Sequence, residues 1–314
     1  MSSAAYVLAL DVGGTGMKAA LLDADGRPGH QTRRPTPRDQ GPQAVLDAVL
    51  DLAAELRATG RRVHGADPAA AGVCVPGTVA EDEGVARYAA NLGWRDVPLR
   101  SLLTERLAGL PVAVGHDVRA GGLAEGRLGA GAGVDRFLFL ALGTGVAGAL
   151  GIDGRIEAGA HGSAGEIGHV VVAPDGPTCG CGQRGCLEAL ASAAAVGRAW
   201  AAASGRPHAT AADAAAAVAA GDPTARQVWR EAVAALAAGL LTAVTLLDPR
   251  TVIVGGGLAE AGDLLLDPLR EELRRRATFQ PLPTIVPAAL GDTAGCLGAG
   301  LLAWNRLSVE VPRR

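Results

Sequence analysis

Positive charge is not in excess in this sequence. Lysine and arginine together number 29 against 32 acidic residues, for a net charge of −3. That removes any electrostatic case for nucleic acid or an anionic membrane as the main partner. Also missing is an apolar run of the ~20 residues that a membrane span needs. The longest uncharged stretches are Phe137 to Ile152 and Ala232 to Leu247. A Gly-Thr-Gly turn interrupts the first, and the second, rich in alanine and bounded by Glu231 and Asp248, reads as a buried core helix. Met1 to Leu10 lacks a basic start, a long apolar segment and a cleavage site, so the expected setting is the cytosol, where thiols stay reduced. Lysine is nearly absent: Lys18, in a glycine-rich turn region, is the only one. Cysteine is sparse, five in all, with no Cys-x-x-Cys redox pair.

What is present is an ordinary soluble composition. The chain has 314 residues, 49% of them apolar and 19% charged, enough for two lobes of normal size. Tyr6 to Leu10 reads as a buried strand running into "DVGGTG", and Met17 to Leu22 as its returning partner. Ala44 to Arg57 has helical periodicity. Ala71 to Val75 and Pro111 to Val114 read as strands, and Val118 to Leu128 as a helix. Helices are expected over Ala191 to Ala203, Ala211 to Ala219, Thr224 to Leu247 and Leu264 to Arg276. Strands are expected at Thr251 and at Thr284 to Val286, with a terminal helix from near Thr293. This alternation indicates an α/β protein with a mostly parallel or mixed sheet in each half. "LALDVGGTGMKAALLDADG" at Leu8 and "LALGTGVAGALGIDG" at Leu140 both read strand, Gly-Thr-Gly turn, small-residue strand, Asp-containing turn. A duplicated domain is the expected cause of that likeness, with chance similarity of two glycine-rich hairpins as the alternative.

Several stretches could carry chemistry. In Asp11-Val12-Gly13-Gly14-Thr15-Gly16 the glycines let backbone N–H groups approach an anion, Asp11 suits a hydrated Mg²⁺, and Thr15 offers a hydroxyl to a phosphate. The spacing matches neither a Walker A loop nor a Rossmann fingerprint, and a plain tight hairpin is the alternative. Gly143-Thr144-Gly145 repeats the turn. Gly255-Gly256-Gly257 follows a buried strand and leaves room for a planar group against backbone, or is simply a strand-to-helix turn. Asp117, just past a strand, is placed as a general base toward a hydroxyl or as a helix N-cap. His169, Cys179, Cys181 and Cys186 combine one imidazole with three thiols, a donor set that suits tetrahedral Zn²⁺, with a glycine-rich loop as the alternative. Cys74 and Cys296 lie in apolar settings and read as core.

Taken together these stretches resemble the ROK family of sugar kinases, in the actin/hexokinase/Hsp70-like fold group. The matches are "LDVGGTG" at Leu10, "PGT" at Pro76, "NLGW" at Asn91, "LGTGVAGALGIDG" at Leu142, "GSAGEIGH" at Gly162, "CGCGQRGCLE" at Cys179 and "VIVGGGL" at Val252. The resemblance implies an α/β fold with two ribonuclease-H-like lobes around a central cleft. The first lobe would cover residues 1–118, with a helix at about 294–306 packing back on it, and the second, 119–314, would carry the zinc loop. It implies transfer of phosphate from ATP with Mg²⁺ to the 6-hydroxyl of a hexose, glucose first, with Asp117 as base. Asn91, His116, Asp117, Glu166, His169 and Glu188 would meet the sugar. Asp11, Gly13, Gly14, Thr15, Gly143, Thr144 and Gly145 would serve the phosphates, and Gly255, Gly256 and Gly257 the adenosine side. Zinc would be structural, and the kinase a dimer or tetramer.

The chain departs from the pattern in two places. Where the family has Glu-Asn-Asp, this sequence has Gly115-His116-Asp117, so imidazole replaces a carboxamide beside the base. "GGTGMK", with Gly16 and Lys18, is closer to polyphosphate-using members. N-acetylglucosamine, N-acetylmannosamine or mannose as acceptor, polyphosphate as donor, and a catalytically weak sugar-binding protein are the remaining alternatives. A transcriptional regulator of the family would need a helix-turn-helix segment ahead of Asp11, where there is no room.

Overall fold

The order of small and large residues along the first strands decides how this chain layers. A computed structural model of the protein describes residues 5–310. β1 (Tyr6–Val12) and β2 (Gly16–Asp23) pair antiparallel across the Gly13–Thr15 turn, and β3 (Pro28–Pro35) adds to β2 as an exposed edge. α1 (Pro42–His64) starts with proline in its first turn and stops at Gly65, whose φ of 70° is left-handed. β4 (Ala71–Val75) lies parallel to β1. Three short strands, β5 (Thr78–Ala80), β6 (Val85–Ala89) and β7 (Trp94–Val97), form a separate antiparallel sheet, followed by α2 (Leu99–Arg106). β8 (Val112–His116) pairs parallel to β4 and runs straight into α3 (Asp117–Leu128). The main sheet has the order β3-β2-β1-β4-β8.

Alternation along β1 sends Leu8, Leu10 and Val12 to one face, where Val45, Val49, Leu52 and Leu56 of α1 meet them in one core. Ala9 faces the other way, with Ala20, Cys74 and Ala120. That face carries small residues because the C-terminal helix, Ala294–Glu310, comes very close. A Cβ on Gly72 would fall on the Ala299 carbonyl, and one on Gly298 on the Ala120 carbonyl. Cys74 and Cys296 sit in this layer, 0% and 6% exposed, as the core residues their apolar settings suggested.

The second sheet repeats the plan. β9 (Arg136–Leu142) and β10 (Val146–Ile152) pair antiparallel across Gly143–Gly145, and β11 (Arg155–Ile156) adds at the edge. Four helices follow: α4 (Leu187–Ala191), α5 (Ala193–Ser204), α6 (Ala211–Ala219) and α7 (Pro223–Leu247). β12 (Thr251–Gly255) lies parallel to β9, then come α8 (Asp263–Arg276) and β13 (Thr284–Pro287). The order β11-β10-β9-β12-β13 is the first sheet's order at equivalent steps, so the sequence repeat marks a repeated topology. Leu138, Leu140, Val252 and Val254 share a core with Leu236 and Leu240 of α7. By length and composition α7 could cross a membrane, but Val233, Leu236, Ala237 and Leu240 are buried in this core.

The continuous helix expected over Ala191 to Ala203 is in fact broken at Ser192. Ser192 is extended (φ −68°, ψ 158°), and its hydroxyl accepts from the Ala195 amide at 3.0 Å, so a cap wins over an alanine-rich run of high helix propensity. The chain forms two compact units, the first comprising residues 1–124, 158–163 and 292–314, and the second 125–157 and 164–291.

Candidate active site

In the first unit the turn after β1 is held by its own backbone. The Gly13 amide donates to the Gly16 carbonyl at 2.9 Å, and the Thr36 hydroxyl donates to the Gly13 carbonyl at 2.6 Å. Gly14 packs closely on Asn91: a Cβ there would stand 3.1 Å from the Asn91 Cβ. The turn expected to serve phosphate and the asparagine expected to serve sugar are therefore in contact. Asp11 lies on the small-residue face of β1, where a Cβ on Gly295 would sit 2.7 Å from its Oδ2. The Cys74 thiol lies 3.5 Å from its Oδ1 and Lys18 Nζ lies 3.7 Å from Oδ2. Lys18, partly exposed, is tied down: it also donates to the Asp292 carbonyl at 2.5 Å, and Arg33 pairs with the Asp292 carboxylate.

Burial pushes the Asp11 carboxyl up to about 6, against the pull of Lys18 and with some help from Asp117. The ionised form is thus penalised in the folded state. The penalty is absent below the ordinary value of 3.8, grows as pH rises, and is complete above about 6. It corresponds to about 3 kcal/mol. Asp11→Asn should therefore melt several degrees above the wild type at pH 8 in the absence of ligands, with the difference closing below pH ~4. Thermal melts across that range check this, and equal melting temperatures at pH 8 would show that the charge is not strained.

Asp117 opens α3. Its Oδ1 accepts from the next residue's amide, Val118 N, at 2.7 Å, and not from the second or third helical amide, so it is not an ordinary N-cap. His116 Nε2 faces the same oxygen at 3.4 Å, and the imidazole is 6% exposed. Burial raises the Asp117 carboxyl above the usual range, opposed by the Val118 amide and the Arg119 charge. Two further residues belong to this cluster and no motif announced them. Arg119, 5% exposed, donates Nε to Glu81 Oε1 at 2.9 Å and Nη1 to the Gly162 carbonyl at 2.9 Å. Glu81, on the β5–β6 turn, also accepts the His116 amide at 3.2 Å.

In the second unit the Gly143 amide donates to the Gly145 carbonyl at 3.0 Å, closing a turn one residue tighter than the Gly13-to-Gly16 bond of the first unit. Glu188, in the first turn of α4, accepts from the Val146 amide at 2.9 Å through Oε2, and this carboxylate fills the space a Gly145 side chain would need. Gly256, at φ 86°, lies against the Leu142 backbone, whereas Gly257 has open space beside it. The segment Ala164 to His169 runs along β10, since Gly165 and Gly168 let it touch the Gly148 and Val146 carbonyls. A short turn of helix, Ile167–His169, then presents Glu166 and His169 with Oε2 and Nε2 3.8 Å apart.

The ligand atoms of His169, Cys179, Cys181 and Cys186 all lie within 4.8 Å of one another. The Cys181 and Cys186 sulfurs are 3.7 Å apart, as are Cys179 Sγ and His169 Nδ1. A zinc–sulfur bond of ~2.3 Å gives a tetrahedral edge of about 3.8 Å, so the cluster has the dimensions of a four-ligand zinc site. Backbone pairing sets it up: Cys179 N donates to the Gln183 carbonyl at 2.7 Å, and Val171 bridges to Cys186. The Gln183 amide draws Cys181 down to about 7, while burial holds Cys186 up at about 12.

Comparison with known proteins places these features. The model of the ROK family matches residues 7–306. A glucokinase of Streptomyces coelicolor is 35% identical over 94% of this chain and 96% of its own length. The ROK hexokinase of Thermus thermophilus superposes with a TM-score of 0.85 at 35% identity, over 97% of this chain and 99% of that one. A ROK glucokinase of Streptomyces griseus, solved with glucose and AMPPNP, gives 0.82 at 33% identity, over 96% of this chain and 99% of that one.

Proposed function

Since the chain belongs to the ROK family and is a sugar kinase of actin/hexokinase-like fold, we propose that it transfers the γ-phosphate of ATP to the 6-hydroxyl of a hexose, glucose first, with Asp117 as general base. The observation that carries the base assignment is the state of its carboxylate. Val118 N and His116 Nε2 both address Oδ1, so Oδ2 is the oxygen that takes the hydroxyl proton. Burial lifts its basicity toward what proton abstraction needs. Asn91, His116, Glu166, His169 and Glu188 hold the sugar hydroxyls. A buried neutral imidazole at 116 offers one donor and one acceptor, in a shape different from a carboxamide's, which changes how the sugar can be read.

The backbone amides at Gly13–Thr15 and Gly143–Gly145 cradle the phosphates, and Gly255–Gly257 faces the adenosine. Asp11, near the end of β1 and a hard oxygen donor, would hold Mg²⁺, which would supply charge neutralisation on the phosphates. Zn²⁺ fits the four-ligand cluster. With no position left open it would fix the loop and take no part in phosphoryl transfer.

A panel of glucose, mannose, N-acetylglucosamine and N-acetylmannosamine, each with ATP and with polyphosphate, tests this reading. We expect ADP-linked turnover to be greatest with glucose and ATP. Turnover confined to an N-acetylhexosamine or to polyphosphate would replace the acceptor or the donor. No turnover with any pair would overturn the kinase reading.

A further inference from the structure

Resting on the kinase reading above, we propose that Arg119 is a positioning residue for the reaction: with Glu81 it braces the residues around the base and the Gly162 turn as one rigid piece.

The geometry is specific. Arg119 sits two residues after the base, is nearly fully buried, and forks between Glu81 Oε1 and the Gly162 carbonyl. Glu81 adds a third bond, from the His116 amide, so one carboxylate oxygen fixes both the residue before the base and the residue two after it. Gly162 also lies close to the Val79 carbonyl, which a Cβ there would approach to 3.1 Å. Its φ of 69° admits little but glycine. From Gly162 the chain has only three residues before Glu166. A buried guanidinium placed this way gives planar, two-sided bracing that an ammonium cannot copy.

Arg119 also acts on the base through charge. The charged and titratable groups near Asp117 are His116 at the end of β8, Asp11 on β1, Cys74 on β4, Glu81 on the β5–β6 turn and Arg119. Arg119 is the one permanent cation among them. Removing it should move the acid limb of kcat/KM to higher pH, since the carboxylate would protonate earlier as pH falls.

The test compares wild type, Arg119→Met, Arg119→Lys and Glu81→Gln in kcat, sugar KM and the pH profile of kcat/KM. For Arg119→Met we expect kcat down by about tenfold to a hundredfold and the acid limb displaced upward. Arg119→Lys should restore the limb but keep a raised KM, because the contact to Gly162 is lost. Glu81→Gln should raise KM and leave the limb at or below its wild-type position. Wild-type kcat and an unmoved limb in a folded Arg119→Met protein overturn the proposal. If that variant fails to fold, Arg119→Lys and Glu81→Gln decide: wild-type KM in both overturns it. An active wild type with unaffected variants overturns this inference alone, whereas a wild type inactive on every sugar overturns the kinase reading and this one with it.

Discussion

Replacing Asp117 by asparagine lowers kcat by about a thousandfold and leaves sugar affinity within a few fold of wild type. The general-base contribution sets the size of the loss, roughly 10²–10⁴. Asparagine is chosen because its side-chain oxygen still accepts the Val118 amide, so the first turn of α3 keeps its shape. What disappears is the capacity of the second oxygen to hold a proton. Burial makes the native carboxylate costly to ionise, so the variant should be at least as stable as the wild type. Steady-state phosphorylation and calorimetric sugar binding separate the two effects. A kcat within tenfold of wild type would remove Asp117 from the chemistry, and a protein that binds sugar equally well but never phosphorylates it, with or without Asp117, would be a sugar-binding protein.

The second large effect is expected at the thiol cluster. Purified protein should carry one zinc per chain. Cys186→Ser should abolish metal retention, lower the melting temperature by ten degrees or more and raise the sugar KM at least tenfold, in line with the energies structural zinc contributes. Cys186 is fully buried and Cys181 exposed, so Cys181→Ser should cost less stability at the same metal loss. The coupling to sugar follows from His169, with Nδ1 toward the sulfurs and Nε2 toward Glu166, and from Glu188, whose Oε1 lies 4.0 Å from the Cys179 sulfur. Elemental analysis, melting curves and sugar titration before and after chelation check this. Full activity after verified metal removal would refute the clamp.

The parts of this protein that sequence could reveal are those built by neighbours in the chain. Gly13–Thr15 and Gly143–Gly145 are visible because a tight turn needs particular residues at particular steps. The candidate metal ligands are visible because three thiols fall within one loop. Ala71–Val75 and Ala211–Ala219 have the bounds their patterns suggest. The small sheet β5–β6–β7 and α2 escaped notice, since strands of three to five residues with mixed burial show no clear alternation. Ser192 defeated a propensity argument through one side-chain bond. Arg119 and Glu81 are separated by 38 positions, and no spacing rule connects an arginine on a helix to a glutamate on a distant turn. Nor could sequence tell that Glu188 answers the Val146 amide, a contact that depends on where α4 comes to lie against β10.

The C-terminal helix has one more implication, for synthesis. It covers the face of the first sheet that Ala9, Ala20 and Cys74 present, but it is translated only after every residue of the second unit. During translation that small-residue face therefore stays uncovered while the second unit emerges and collapses. The unit encoded first becomes complete last. Ribosome-bound chains arrested before Ala294 should expose Cys74 to thiol reagents that the finished protein excludes.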